Sequence, residues 1–189
     1  MIYKNYNVQN LTEFNLMKRT LSNFLLKNIE LSGIENEVFY TKHDEEYIPY
    51  RYKDLIDQII CLNDFFKKCG LTEGDKVGIV SESRTEWVAV DFACMFSKLI
   101  LIPIYTSVSD SQIEYILENS GAKICFVSTS LLLDKVLKIK NDNSEKTKSL
   151  KELIIFNEKD LSRYEEENVI KYSELVKISQ ENSATDKTA

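Results

Sequence analysis

The chain has 189 residues, a formal net charge of −6 and 43% hydrophobic residues. A chain of this length and composition can bury a core of ordinary size without disulfides or metals, which excludes disorder of the whole chain. The acidic balance is a poor electrostatic match to a phosphate backbone, which excludes nucleic-acid binding as the main task. We therefore expect a folded domain with some other function.

Membrane insertion and secretion are also disfavoured by the sequence. No apolar run approaches the roughly 20 residues that span a bilayer, and the first residues have no apolar core of a secretion signal. The four cysteines are scattered without C-x-x-C spacing, at Cys61, Cys69, Cys94 and Cys125. This pattern is typical of reduced thiols, and we expect an intracellular protein.

The first predicted element is a helix from Leu11 to Lys27. Asn10 and Glu13 resemble a capping box at its start. Its apolar residues recur at helical spacing and form one stripe of Phe14, Met17, Leu21 and Phe24. We expect this stripe to pack against the body of the domain. The alternative is a helix that binds a membrane surface or a partner.

Two short strands are predicted next, at Val38–Thr41 and Tyr47–Tyr52. The polar residues His43–Glu46 between them could be mistaken for a metal cluster. Consecutive polar residues between two strands favour a hairpin turn, and no second histidine exists to complete a metal site.

From Lys53 onward, helical and strand-like patterns alternate. Capping boxes are predicted at Ser83–Glu86 and Ser109–Gln112, each opening a helix. We expect Trp87, in the first of these two helices, to be largely buried. The predicted helices otherwise run from Lys53 to Cys69, before Gly70, and from Leu131 to Lys140. The predicted strands are Lys76–Val80, Leu99–Tyr105, Lys123–Val127 and Leu153–Phe156.

This alternation predicts an α/β fold: a largely parallel sheet with helices on both faces, preceded by a helix and a β-hairpin. The strands near Val77–Val80, Ile100–Ile104 and Ile124–Val127 are expected to be parallel neighbours. We expect an N-terminal helical segment over 1–36, an α/β domain over 37–178 with a polar loop at 140–149, and a disordered tail over 179–189.

The sequence offers no catalytic equipment of its own. The G-x-G-x-x-G fingerprint of dinucleotide-binding proteins is absent. Gly70–Lys76 resembles a phosphate loop but joins a helix to a strand, so we expect a turn. The loops at Ser81–Arg84, Thr106–Ser109 and Ser128–Ser130 carry hydroxyls without a paired base. The cysteines are expected to be buried and inert, and Glu165–Glu167 to be solvated. We assign no catalytic, cofactor-binding or metal residue.

Six short pieces of the sequence stand in an order and spacing that point to one family: Tyr52–Leu55, Gly70–Ile79, Ser83–Trp87, Asp91–Cys94, Pro103–Thr106 and Glu114–Lys123. From Tyr50 to Leu175 the chain resembles the N-terminal part of the AMP-forming acyl-CoA synthetases, which belong to the adenylate-forming superfamily that includes firefly luciferase. The Arg-x-Glu-Trp and Pro-x-Tyr pieces are most similar to the long-chain fatty acid branch, and Lys171–Leu175 also fits it. Ser83 and Thr85 depart from the family's usual Asn and Pro.

The resemblance implies an enzyme that joins a fatty acid to AMP using ATP and Mg²⁺ and then transfers the acyl group to coenzyme A. In that family the phosphate loop and the catalytic lysine lie downstream of the matched region. The chain is therefore expected to be an inactive N-terminal fragment. Its expected partners are the fatty acid substrate and the remaining C-terminal part, with self-association as a further prediction. Attachment to the cytoplasmic face of a membrane stays open.

Two alternatives remain at this point. The first is a self-contained, non-catalytic α/β binding or regulatory module. The second is a different nucleotide-using enzyme that shares only the alternation of strands and helices. A reading frame that continues into a Ser/Thr/Gly-rich loop ending in Pro-Lys would favour the synthetase.

Overall fold

The computed structural model describes residues 20–43, 45–142, 145–158, 161–164 and 167–177. The helices are α1 (Leu21–Ser32), α2 (Tyr52–Lys68), α3 (Thr85–Phe96), α4 (Asp110–Ser120) and α5 (Ser130–Asp142). The strands are β1 (Glu37–His43), β2 (Glu46–Arg51), β3 (Lys76–Val80), β4 (Ile100–Ile104), β5 (Ile124–Val127), β6 (Glu152–Ile155) and β7 (Val169–Lys171). A 3₁₀ helix at Leu161–Tyr164 precedes β7, and a short helical segment at 172–177 follows it.

The central sheet has five strands in the order β4-β3-β5-β6-β7, and each neighbouring pair is parallel. Val77 of β3, for example, pairs with Leu101 of β4 on one side and Ile124 of β5 on the other. This arrangement confirms that the three strands expected to be parallel neighbours are so. Strand β7 was missed by the sequence analysis, because it has only three residues.

Helices cover both faces of this sheet, as predicted. Alternate side chains of a strand point to opposite faces, so β3 contributes Val77 and Ile79 to one core and Val80 to the other. The core of the first face also contains residues of α1, α2 and α3, and the core of the second face contains residues of α4 and α5. Trp87 is only partly buried against the first core, less enclosed than expected.

Strands β1 and β2 form a separate antiparallel hairpin, which confirms that prediction. His43 pairs with Glu46 at the end of this hairpin. Strand β2 ends one residue earlier than predicted, because Tyr52 already begins α2. The Arg51 backbone N–H donates to the Asp54 carboxylate at 2.8 Å and stabilises that helix start.

The position of α1 corrects two expectations. The helix begins at Leu21, because Thr20 has an extended backbone and accepts from the Asn23 N–H as the N-cap. Leu25 and Ile29 face the core, whereas Leu21 and Phe24 of the predicted packing stripe are 63% and 66% exposed. The predicted face was therefore wrong in this part of the helix. Asn10, Glu13, Phe14 and Met17 lie outside the described residues.

One of the two predicted capping boxes in the α/β part is confirmed and one is wrong. Ser109 accepts from the Gln112 N–H, and the Gln112 side chain accepts from the Ser109 N–H. At α3 the N-cap is Arg84, and no side chain caps the helix. Ser83 cannot form the box because the Glu86 carboxylate is held by Arg84 and Thr85 instead.

The segment after α5 differs from the predicted polar loop at 140–149. Helix α5 continues to Asp142, and Thr147 is 2% exposed, so part of this segment packs against the domain. The predicted tail over 179–189 lies outside the described residues, as do Glu165 and Glu166. Across the described ranges, no helix is long and apolar enough to cross a membrane.

Candidate functional site

The strand order places a crevice at the carboxyl ends of β3 and β5. Helix α3, which follows β3, packs on the first face of the sheet, and α5, which follows β5, packs on the second. The two connections diverge, and such switch points are where ligands bind in open parallel sheets. The loops at Ser81–Arg84 and Ser128–Ser130 meet here, so this edge is the candidate site.

A carboxylate and a hydroxyl already pair within this crevice. Ser128 is fully buried, and its Oγ donates to Glu82 Oε2 at 2.5 Å. Its backbone N–H donates to the Val80 carbonyl at 3.1 Å, which extends the β3–β5 pairing by one residue. The Ser128 hydroxyl is thus satisfied by an acid that also carries negative charge. The pair joins the two loops, and Arg84 Nη1 lies 3.8 Å from the other oxygen of the Glu82 carboxylate.

Arg84 and Glu86 form the second polar group of this edge. Arg84 Nε and Nη2 donate to the two oxygens of Glu86 at 2.8 and 2.7 Å, a bidentate pair. Burial raises the pKa of Glu86, but the hydrogen bonds and charge of Arg84, together with hydrogen bonds from the Glu86 backbone and Thr85, outweigh it and the net pKa is lowered. Burial likewise opposes the charge on Arg84, yet Glu86 and Glu82 raise its pKa. Both groups are therefore charged at neutral pH and neutralise each other.

The Arg84 side chain of this ion pair packs against a cluster of aromatic side chains. The Arg84 guanidinium lies 5.1 Å from the ring centre of Phe156, which follows β6. Phe156 stacks on Phe126 at 5.7 Å and meets Tyr172 edge-on at 5.1 Å. The Tyr172 hydroxyl donates to Gln58 Oε1 at 2.7 Å, and burial raises its pKa well above its usual value. These contacts hold the side chains at the carboxyl edge of the sheet in place and do not supply a reactive group.

The other loops singled out in the sequence have structural roles. Ser109 caps α4, and Thr129 Oγ1 accepts from the Leu132 N–H at the start of α5. The Gly70–Lys76 segment is a turn at the amino edge of the sheet, as predicted. Asp75 accepts there from Thr72 and from Lys123 Nζ at 2.7 Å, which lowers its pKa.

The thiols fit the prediction of buried, reduced cysteines. Cys61, Cys94 and Cys125 are buried, Cys69 is partly buried, and none forms a disulfide. Burial raises the pKa of Cys125 to about 12 and also raises that of Cys94. A nucleophile needs the thiolate form, so these thiols are unsuited to catalysis.

Metal binding finds no support within the part of the chain that the structure describes. No group of three or more His, Cys, Asp or Glu side chains there could hold a metal ion. A groove of about 520 Å³ lies beside β7, with Leu161, Val169, Lys171, Glu158 and Glu174 among its lining residues.

Sequence reasoning missed the pairing of Glu82 with Ser128. A signal was present, because Ser128 directly follows one predicted strand and Glu82 is the second residue after another, and these two strands were expected to be neighbours. The carboxyl ends of neighbouring parallel strands meet at one edge, so an acid and a hydroxyl there are expected to approach. The Arg84–Phe156 contact had no comparable signal, because the two residues are 72 positions apart.

Comparison with known proteins supports the resemblance. The family model described as "AMP-binding enzyme" matches residues 34–188. Long chain acyl-CoA synthetase 5 of Arabidopsis thaliana is 30% identical over 82 residues, which is 43% of this chain and 12% of that protein. Long chain acyl-CoA synthetase 1 of the same plant is 24% identical over 60% of this chain and 17% of its own.

Solved structures show the same fold at low sequence identity. A putative long-chain-fatty-acid CoA ligase from Rhodopseudomonas palustris superimposes with a TM-score of 0.67 at 16% identity, covering 85% of this chain and 37% of that one. Acetoacetyl-CoA synthetase from Streptomyces lividans superimposes with a TM-score of 0.68 at 13% identity, covering 82% of this chain and 24% of that one.

The chain thus spans 12% and 17% of the length of the two plant synthetases. The family match, by contrast, covers most of this chain and includes the hairpin, the parallel sheet and its carboxyl edge. The chain belongs to the AMP-binding enzyme family.

Proposed function

We propose that the chain is the N-terminal part of an AMP-forming long-chain fatty acid–CoA ligase. The reaction joins fatty acid, ATP and coenzyme A to give acyl-CoA, AMP and pyrophosphate. The observation that carries this proposal is the family match over residues 34–188 together with relatives named as long-chain synthetases. The proposed location is intracellular, in the cytoplasm or at the cytoplasmic face of a membrane.

The described residues do not fit ATP and Mg²⁺ by themselves. Within the described ranges there is no metal-holding acid cluster, and at the switch point the cation Arg84 is already paired with Glu86 and lies beside Glu82. We therefore derive no chemical step from these residues. In the proposal they form the scaffold, and the groups that bind ATP, Mg²⁺ and coenzyme A come from the C-terminal remainder. The domain boundaries at 36/37 and 178/179 stay predictions.

A second candidate is a non-catalytic α/β binding or regulatory module. It is favoured by the internal pairing at the switch point, where Glu82, Ser128, Arg84 and Glu86 satisfy one another. A site awaiting a ligand would instead present unpaired groups. The synthetase proposal accommodates this pairing only if the reactive groups lie outside the described residues.

The deciding experiment measures fatty-acid-dependent exchange of labelled pyrophosphate into ATP. We expect none from the 189-residue chain, because adenylation needs placed phosphate donors and a charge-stabilising lysine. We expect exchange and acyl-CoA formation from the protein encoded by the continued reading frame. Exchange by the 189-residue chain would overturn the fragment proposal. An inactive longer protein, tested over several acyl-chain lengths, would favour the module.

We also propose that the 189-residue chain self-associates at high concentration. Leu21, Phe24 and Leu31 lie along one side of α1 and are 63%, 66% and 70% exposed. Contiguous exposed apolar surface tends to drive association. Sedimentation velocity over a wide range of concentrations checks this, and Phe24→Asp should shift the distribution toward monomer. The control is Leu131→Asp, which changes an equally exposed leucine on α5. A monomer at every concentration would contradict the proposal.

A further inference from the structure

The segment at 172–177 is held to the domain by several separate contacts. The Tyr172 hydroxyl donates to Gln58 of α2 at 2.7 Å. Ser173 donates twice to Glu158, from its backbone N–H and from its Oγ, each at 2.7 Å. The motif Lys171–Leu175, which the sequence analysis singled out, overlaps this segment, and the scaffold role leaves it unexplained.

Glu158 is the unusual member of these contacts. It lies beyond β6, 15 positions before Ser173, and uses both carboxylate oxygens to hold the start of the segment. Hydrogen bonds to a carboxylate are stronger than neutral ones. The contact therefore fixes the backbone of residue 173 directly after β7. Tyr172 packs on Phe156, so the clamp adjoins the aromatic support of Arg84.

We propose that Glu158 is a positioning residue of the ligase, an inference that rests on the proposed function. Strand β7 is parallel to β6, its neighbour in the sheet, so the chain leaves the sheet through 172–177 at the carboxyl edge. In the proposed enzyme the residues that bind ATP follow this segment. Glu158 thus sets the point from which the ATP-binding part of the chain begins.

The physical consequence is a change in population. Molecules in which the segment has detached bind ATP poorly. The apparent affinity for ATP is therefore reduced in proportion to the fraction of molecules in which the segment is still docked. Saturating ATP restores the docked form, so the maximal rate is retained. Loss of the clamp should therefore raise the KM for ATP while leaving kcat unchanged.

The first test is amide hydrogen exchange by mass spectrometry, on the 189-residue chain and on the longer enzyme. Glu158→Ala should speed exchange in 172–177 by about tenfold, the effect of losing about 1.4 kcal/mol of local stability. Exchange in β3 and β5 should stay unchanged. Glu158→Gln retains one acceptor oxygen, so its exchange rate in 172–177 should lie between those of wild type and Glu158→Ala. The matched control is Glu174→Gln, which removes only an exposed ion pair with Lys171.

The second test measures steady-state kinetics of the longer enzyme. Glu158→Ala should raise the KM for ATP by up to about tenfold, the factor by which docking is weakened, with kcat within twofold, and adding Tyr172→Phe should raise it further. The Glu174→Gln control should match wild type. Faster exchange in 172–177 with an unchanged KM for ATP would overturn the positioning role alone. A wild-type enzyme without ligase activity would overturn this role together with the proposed function.

Discussion

At the scale of single residues, burial decides which ion pairs matter. Arg84–Glu86 and Lys98–Glu73 have similar distances, 2.7 and 2.9 Å, but their side chains are about 25% and 70% exposed. Arg84 also lies over Phe156. We expect Arg84→Ala to cost about 1–3 kcal/mol of unfolding free energy, because Glu86 loses its partner in a half-buried site. Lys98→Ala should cost less than about 0.5 kcal/mol. Urea unfolding measures both, and equal costs would contradict the argument.

The same pair predicts a dependence of stability on pH. The folded-state pKa of Glu86 is lowered, because the effect of burial is outweighed by the hydrogen bonds and charge of Arg84 together with hydrogen bonds from the Glu86 backbone and Thr85. The contribution of Glu86 to stability is thus complete at pH values above its pKa in the unfolded chain, about 4.3. It is lost as the pH falls through its lower pKa in the folded protein. Glu86→Gln should therefore destabilise the protein more at pH 7 than at pH 3. Unfolding at both pH values checks this, and an equal cost at both would refute it.

At the scale of elements, two similar sequence signals have different energetic weight. Ser109 caps α4 through a complete capping box, whereas Ser83 makes no cap at α3. Ser109→Ala should cost about 0.5–2 kcal/mol, the usual effect of losing an N-cap. Ser83→Ala should lie within about 0.5 kcal/mol of wild type, as surface substitutions usually do. If chemical denaturation gave the opposite order, the assignment of Arg84 as N-cap would be wrong.

The packing of α4 on the sheet depends on Gly78 in β3. A Cβ at this position would lie 3.3 Å from both Cys125 Sγ and Leu117 Cδ2. Both neighbours are buried, so neither has room to move. We expect Gly78→Ala to destabilise by about 1–3 kcal/mol through overpacking. Adding Cys125→Ala should recover part of that loss in a double-mutant cycle, and an additive double variant would contradict this cause.

The sequence predicted the elements whose signals are local. Val77, Ile79 and Val80 form an apolar run broken only by Gly78, so β3 was visible, and Gly70 and Gly121 follow the helices they end. Strand β7 was missed because its two apolar residues, Val169 and Ile170, are too few to show the alternating pattern of a strand. The face of α1 was misjudged because Leu21 and Leu25 are equally apolar in the sequence. Only the position of α3, against which α1 packs, selects Leu25. At the candidate site, the contact of Arg84 with Phe156 is set by the sheet order.

At the scale of the whole molecule, the two cores share one sheet. Ile79 and Val80 are neighbours in β3, yet one belongs to the first core and the other to the second. A strand cannot leave the sheet without opening both cores, so the α/β part should unfold as one cooperative unit. The two-stranded hairpin of β1 and β2 lies outside this sheet and is not packed between the two cores, so it is expected to open more readily.

Two buried thiols provide the measurement, because they lie on opposite faces of the sheet. Cys94 belongs to the first core and Cys125 to the second. A thiol reagent reacts with thiolate, and burial raises the pKa of Cys125 to about 12, so neither thiol should react in the native state. Cys69→Ser removes the partly buried thiol that would react first. Labelling followed by peptide mass spectrometry should then give the same opening free energy for Cys94 and Cys125, equal to the value from urea unfolding. If Cys94 reacted at least tenfold faster than Cys125, the first face would open without the second, and the shared sheet would not couple the two cores.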